Sequence, residues 1–493
     1  MQRVYAYLDT GGGLRPVTSV SDAPAMLSGF TIQWGVDSPD TQPDPSVCDF
    51  TLVDRDGRLA GNFIDLAGAR IVIRINDSPT WEQLGPQFGT FDDCAFPWHQ
   101  LAGRWDPQLG YGARATTIFD GIISTGGSIS KHENSWLIGL SATSRMVLWK
   151  RLQSQGPLSA DGSYHWAGRP VDRVNVMNQR AAAINAPQVD VTGLDYPDSV
   201  APYDTDTYPS QLDLLHRMFA HSAKYPLWHE DVSGDVTSIG HTDLAVSAGL
   251  VLDAQAIPYT SADGALRMSI PASSVETDDD MSLRIMEPWT QAQVNGKKAE
   301  TKDGKTSFTD SQITYTDSSL PLQVRNLQKT ISLDSDSILA SDNQAYPAWT
   351  PTVTDRTMMS GMLTTLDTCA VPETVTFDSR RIDPYQVPYV FRPQPSGPIY
   401  ILGQASDHLT HDDGTPTSSV VWTTIGGTLT YEWVNGEPVM RNECSLCPIP
   451  FTPGTSATWN DLSGWPAVYS MVSLTWAQFG LVQEFTTTNL QEE

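Results

Sequence analysis

The sequence predicts a mainly β protein with a mixed α/β domain set between two β-rich stretches. Three observations carry that reading. Short β-runs punctuated by Gly, Pro, Asp and Ser fill most of the chain. Helical periodicity is confined to a few windows. No unit recurs at the spacing of a solenoid or propeller, about 20–50 residues.

Taken in order, Phe30 to Gly35 and Cys48 to Val53 are the first strands, joined by the turn-rich Asp37 to Ser46 with Pro39, Pro43 and Pro45. Asp54-Arg55-Asp56-Gly57 ends the second as a tight turn, because Asp and Gly tolerate left-handed backbone. Arg70 to Ile75 follows, then Thr116 to Ser124 facing Trp136 to Ala142 as a hairpin with a loop from Thr125 to Asn134. Near Lys150 the texture changes. Val171 to Ile184 reads as a helix with Val174, Met177 and Ala181 on one face and Pro170 in its first turn. Ser210 to Ala223 is a stronger one, with Ser210 and Asp213 as a capping pair and an apolar stripe of Leu212, Leu215, Met218 and Phe219. Strand grammar resumes near Leu266, with Asp278-Asp279-Asp280 and Asn295 to Thr306 as exposed turns and Asp355 to Leu366 as a third helix. Pro398 to Ala405 and Ser418 to Trp433 are strands around the polar turn Ser406 to Pro416. The tail after Pro448 reads as loop-like, docked by Trp459, Trp465 and Trp476. The domain boundaries that follow are 1–150, 151–265, 266–440 and 441–493.

Composition excludes several classes. The 493 residues exceed one compact domain, and 40% hydrophobic residues suffice for several cores. With 30 Lys plus Arg against 57 Asp plus Glu, the net charge is -27, which argues against a surface that grips nucleic acid or an anionic membrane. The opening MQRVYAYLDTGGG lacks the apolar core of a signal peptide, and no run is long enough to span a membrane. Cys48, Cys94, Cys369, Cys444 and Cys447 are too few and too irregular for a disulfide framework, so reduced thiols are expected.

The chemical inventory is nearly empty. Asp407, His408, His411, Asp412 and Asp413 have metal-ligand spacing, with His408, His411 and Asp412 as the candidate ligands. They sit in a turn, however, where Asp-Asp-Gly is ordinary chemistry, and a solvated loop is the favoured reading. Cys444-x-x-Cys447 has the spacing of half a zinc site or a redox pair, but no second ligand pair or βαβ context accompanies it, so two thiols in a turn are expected. Asp54-x-Asp56-Gly57 resembles the start of a calcium loop and lacks its later acids. His216, His221 and His229 are read as helix-surface and packing residues, since no HExxH, GxSxG, Walker or GxGxxG motif goes with them. Nothing singles out a pair of carboxylates for sugar cleavage. No catalytic residue, cofactor or metal is expected.

The run TIQWGVDSPDTQPDPSVCDFTLVDRDGRLAG resembles the opening of siphophage tail-tip hub proteins, known as minor tail proteins in phages of actinobacteria. The matching positions are Trp34, Gly35, Pro43, Pro45, Phe50, Leu52, Asp54 and Gly57. Further pieces follow in the family's order. Ile118-Phe119-Asp120-Gly121-Ile122-Ile123 is similar to its Phe-x-Gly-x-Ile strand. Ser210 to Ala223 followed by Leu227-Trp228-His229-Glu230-Asp231 is similar to the helix-then-strand unit of its inserted domain. Pro398 to Gly403, then Asp407-His408 and Val420 to Thr424, is similar to its closing hairpin.

The resemblance implies two tube-type β-barrel modules, over 1–150 and 266–440, an inserted domain over 151–265 and a docking tail over 441–493. It implies a homotrimer whose paired barrels make a pseudo-sixfold ring, located at the tail tip of a virion and made in the host cytoplasm. Its expected partners are the distal tail protein, the tape-measure C-terminus and receptor-binding or tail-fibre proteins, with DNA passing through the lumen but not specifically bound. Many relatives carry a C-terminal peptidase, lysozyme-like or receptor-binding extension, for which the residues from Pro448 to Glu493 leave no room, so no enzymatic role is expected. The alternatives are a carbohydrate-binding or carbohydrate-active virion protein, prompted by 15 Trp and the acidity, and a metal-dependent hydrolase using Asp407 to Asp413.

Overall fold

The computed structural model describes residues 4–17, 26–38, 41–76, 115–152, 155–158, 164–166, 169–194, 203–204, 210–219, 226–233, 236–243, 268–271, 274–276, 291–316, 330–341, 374–382, 390–395, 399–402 and 421–449, with a few isolated positions between them. The chain is mainly β with a mixed α/β insertion.

The first module holds β1 (Val4–Asp9), β2 (Arg15–Pro16), β3 (Met26–Gly35), β4 (Val47–Asp54), the short helix α1 (Arg58–Gly61), β5 (Arg70–Asn76), β6 (Ala115–Ile123), β7 (Ser128–His132) and β8 (Ser135–Ser144). Hydrogen-bonded neighbours run β3-β4-β8-β6-β5-β1-β2. Val17, just past β2, closes the circuit: its N–H donates to the Ala6 carbonyl at 2.7 Å, and its own carbonyl accepts the Leu27 N–H of β3 at 3.1 Å. Strict alternation in β4 and β8 turns Cys48, Phe50 and Leu52, and Ile138, Leu140 and Ala142, into the barrel. The β4 turn forms as expected. The buried Asp54 carboxylate accepts N–H bonds from Gly57, Leu59 and Ala60 at 3.0, 2.9 and 2.8 Å, and Gly57 sits at φ 71, where only glycine is unstrained. These bonds use up the oxygens a calcium ion would need.

The expected loop over 125–134 is instead partly strand. β7 pairs with β8 across a tight Glu133-Asn134 turn, with Glu133 at φ 49, while β6 touches β8 only through Gly121–Ile123. Two turn-forming residues in sequence set a shorter hairpin than hydrophobicity alone predicts.

The inserted module contains α2 (Val147–Arg151), β9 (His165–Trp166), α3 (Pro170–Ala183), β10 (Gln188–Val189), β11 (Tyr203–Asp204), α4 (Gln211–Phe219), β12 (Pro226–Ser233) and β13 (Val236–Asp243). Pro170 opens α3, and Val174, Met177 and Ala181 are buried along its face. The capping box of α4 is reciprocal: Asp213 N–H donates to the Ser210 hydroxyl and Ser210 N–H to the Asp213 carboxylate, both at 3.1 Å. Its stripe joins Trp149, Trp166 and Trp228 in a core separate from that of the barrels.

The second module contains β14 (Met268–Pro271), β15 (Val275–Glu276), β16 (Gln291–Lys302), β17 (Lys305–Thr316), β18 (Thr330–Ser341), β19 (Thr374–Asp378), β20 (Ile399–Leu402), β21 (Val421–Val434) and β22 (Glu437–Ile449). Its hydrogen-bonded order runs β15-β19-β22-β21-β20-β14, while β16, β17 and β18 form a three-stranded sheet of their own. Asn295 to Thr306, expected as an exposed turn, is most of a long β16–β17 hairpin. Only Asp303-Gly304 turns, at φ 52 and 75, because Asp-Gly fits the twist of a two-residue hairpin loop and the polar residues around it suit a solvated strand. The expected turn at 278–280, the helix over 355–366, the turn over 406–416 and the tail after 449 lie outside the described residues.

The two modules share an edge. β21 pairs with β3 from Gly426↔Gly35 to Tyr431↔Phe30, so β1–β8 and β14, β15 and β19–β22 belong to one continuous fourteen-stranded sheet. At Gly35, φ is 69 and an added Cβ would lie 2.2 Å from the Ile425 carbonyl oxygen; one added at Gly426 would lie 2.2 Å from that of Val36. The seam therefore depends on backbones approaching without side chains between them. Behind it, Phe30 stacks on Tyr431 at 5.4 Å, and the buried Asn442 accepts from Trp34 Nε1 at 3.4 Å while donating to the Val390 carbonyl at 2.5 Å.

Candidate functional site

Register makes the shared ladder a two-faced ribbon. Reading across β8, β4, β3, β21 and β22, one face carries the rows Leu140–Phe50–Phe30–Tyr431–Met440 and Ala142–Cys48–Ile32–Leu429–Asn442, all buried. The other carries Ser141–Asp49–Thr31–Thr430–Arg441 and Thr143–Val47–Gln33–Thr428–Glu443. This second face runs unbroken from one module to the other and is built from short hydroxyl and amide side chains. Asp49, Glu432 and Glu443 outweigh Arg441, whose guanidinium is held by Glu432 at 3.3 Å and Asp378 at 3.5 Å. A shallow groove of about 700 Å³ crosses it, lined in part by Gly29, Thr31, Asp49, Thr51, Thr430 and Glu432. Among the described residues of this face, acidic side chains outnumber basic ones, which gives a polyanion little grip.

A second cluster lies where the inserted module meets the first barrel. Asp120 of β6 is buried and accepts a two-pronged bond from Arg70 at 2.7 and 2.8 Å, one from Arg145 at 3.3 Å and one from the Thr237 hydroxyl of β13 at 2.6 Å. Arg145 also donates to the Asn185 carbonyl. Beside them Glu230 of β12 accepts the Met146 N–H. Burial pushes its carboxyl up to about 8. Elsewhere Gln42, from the β3–β4 connection, donates to the Pro226 carbonyl at 2.8 Å and accepts from Trp228 N–H at 3.4 Å.

No protein-family profile matches the chain, and no curated protein sequence is similar to it. Among solved structures, a tail protein from Neisseria meningitidis MC58 aligns over 93% of this chain and 98% of its own length, at 10% identity and a TM-score of 0.41. The 43 kDa tail protein of prophage MuSo2 from Shewanella oneidensis aligns over 90% and 98% at 8% identity and 0.40. A prophage tail protein from Listeria monocytogenes aligns over 95% and 99% at 8% identity and 0.37.

The sequence candidates fare unevenly. His408, His411 and Asp412, with Asp407 and Asp413, lie outside the described residues, as does His221. Among the described residues no group of His, Cys, Asp and Glu is placed to hold a metal ion. The Cys444-x-x-Cys447 pair is not in a turn: both positions belong to β22, because the pairing with β21 continues to Ile449. Burial raises the Cys444 thiol above its ordinary range, and that of Cys48 likewise, so neither is activated. His216 is half-buried on α4 and His229 is buried in β12, both as packing residues, and burial lowers both to about 4. Trp34, Trp149, Trp166 and Trp228 are buried in cores, and Trp433 at the β21–β22 turn is half-exposed.

Asp120 and Glu230 were not expected. The available signal was a lone acid within the apolar run Ile118 to Ile123 and another beside the buried Trp228. An acid on the inward side of a strand needs an arginine or a proton.

Proposed function

We propose that the chain is a structural protein of a phage tail: a trimeric, non-enzymatic tail-tip hub whose paired barrels adapt a sixfold tube to a threefold tip. The observation that carries this reading is the β3–β21 ladder, which locks two β modules side by side in one chain. Three such pairs around an axis give six similar units, as a threefold ring meeting a sixfold one requires. The polar ladder face then lines the channel, where Asp49, Glu432 and Glu443 keep passing DNA from sticking. The order of motifs from Trp34 to Thr424 supports the same reading, with the distal tail protein, the tape-measure C-terminus and receptor-binding or fibre proteins as partners, in the virion.

At a net charge of -27 per chain, assembly works against repulsion. Because the screening length falls from about 8 Å at physiological salt to about 3 Å at 1 M, the purified chain trimerises more readily as salt rises. Sedimentation across a salt series, with electron microscopy of the heaviest species, tests this. Threefold rings support the hub; a chain that stays monomeric at every salt concentration and with its tail partner overturns it. The isolated chain is expected to leave peptidoglycan and host-wall glycan intact, and turnover abolished by one Asp or Glu change would replace the structural reading with an enzymatic one.

A further inference from the structure

We propose that the outer edge of β17 is the seat of the chain's own C-terminal segment, which adds to it as an antiparallel fourth strand and sets Glu492 and Glu493 against the lysines at the hairpin tip. This is independent of the hub reading.

The β16–β18 sheet has one open side. Its order is β17-β16-β18, so β16 is paired on both sides, and β18 lies against α4. Among the described strands β17 pairs only with β16, along 12 residues without a bulge or a proline. Asp303-Gly304 is a two-residue loop, so Lys302 and Lys305 form the closing hydrogen-bonded pair. Thr306, Phe308, Asp310, Gln312 and Thr314 then turn their N–H and C=O groups away from β16. Ser307 and Thr309 are exposed, and so are Asp310, Gln312 and Thr314, which means that solvent reaches the strand from both faces. A long, regular edge of this kind is a template for strand addition.

Charge selects the occupant. Lys297, Lys298, Lys302 and Lys305 are half of the lysines in a chain of net charge -27. Lys297 is paired with Asp310 and Lys298 with Glu300, whereas Lys302 and Lys305 stand exposed beside the turn with no ion-pair partner among the described residues. After Arg441 the sequence contains no Lys or Arg, and the stretch LVQEFTTTNLQEE from Leu481 combines strand-favouring Leu, Val, Phe and Thr with Glu484, Glu492 and Glu493. Laid antiparallel along 308–315, Leu481 to Thr488 would bring Glu492 and Glu493 level with Lys302 and Lys305. A parallel strand would carry them to the far end of β17. Chain length allows the docking, since the residues between Ile449, the end of β22, and Leu481 can span about 100 Å when extended.

Zero-length carbodiimide coupling of the full chain, at low salt and high dilution so that links form within one molecule, joins an amine only to a carboxylate in contact with it. Peptide mass spectrometry should find Lys302 or Lys305 linked to Glu492 or Glu493; coupling of these lysines only to other acids, or to none, would overturn the seat. Hydrogen exchange reads the backbone. The amides of Phe308, Asp310, Gln312 and Thr314 should be protected in the unmodified chain. Phe485→Pro combined with Thr486→Pro, which removes two consecutive donors, should speed their exchange about tenfold or more and leave Ser307 and Thr309, bonded to β16, unchanged. Unprotected outward amides in the unmodified chain, or equal rates in both proteins, would overturn the added strand.

Discussion

Where β3 meets β21, the contact is main chain on main chain, flanked by Gly35 and Gly426 and backed by Ile32, Leu429 and stacked aromatic rings. Where β12 and β13 meet the first barrel, the contact is polar: Thr237 on Asp120, Glu230 on the Met146 N–H, Gln42 on the edge of β12. The first seam has no carboxylate, histidine or basic side chain in its ladder and needs only close approach. The second is built on a buried carboxylate, Asp120, gripped by two arginines. One chain thus carries a main-chain joint between its β modules and a side-chain joint to its insertion.

The largest test breaks the main-chain joint. Gly35→Val forces a β-branched side chain to φ 69 and against the Ile425 carbonyl, so the two-barrel unit should lose more than about 4 kcal/mol or fail to fold, read by denaturant unfolding. Next, Asp120→Asn removes the carboxylate that Arg70 and Arg145 share. It should cost about 3 kcal/mol and make 226–243 protease-sensitive while the β3–β21 amides stay protected.

Acid titration sharpens the contrast with a smaller effect. His216 and His229, depressed to about 4, lose stabilisation as pH falls below 6.5, because the unfolded chain takes up their protons first. Glu230 opposes them, since its raised value favours the fold as pH falls towards 4.5. Two protons against one, with the unfolded histidines half protonated at pH 6.5, leave a net loss of about 1 kcal/mol per pH unit in the inserted module between pH 6.5 and 4.5. Unfolding at pH 6.5 and 5.5, followed by Trp228 fluorescence, measures it; a module that gains stability in that range would show that Glu230 outweighs the histidines. Smallest of all, Thr237→Val removes one neutral donor from Asp120 and should cost about 1 kcal/mol at the insertion only.

The main-chain joint was the less legible of the two. Alternation in Cys48 to Val53 and Trp136 to Ala142 reveals which face is buried, and a capping box announces α4 through Ser210 and Asp213, because those signals are local. The partner of β3 is about four hundred residues away, at Gly426–Tyr431, and the pattern of a strand gives its face without naming its neighbour. The long β16–β17 hairpin is masked in the sequence because Lys, Asp and Gly near its tip give the signal of an exposed turn over the Thr and Ser alternation around them. The buried Asp120 is hidden in the sequence because a carboxylate reads as surface until its arginine partners, Arg70 and Arg145, are brought alongside by folding.

Val17 gives the first barrel an unusual kind of economy. The wall β3-β4-β8-β6-β5-β1-β2 is completed by one residue, fully buried, that takes a hydrogen bond from one neighbour and gives one to another. Without that stitch, the Leu27 N–H at the start of β3 and the Ala6 carbonyl of β1, next to its short pairing with β2, would be left bare, an opening of the kind on which β proteins aggregate. The segment around Val17 therefore guards the solubility of the chain before any partner arrives. Its loss would show first as clumping during expression rather than as a lower melting temperature.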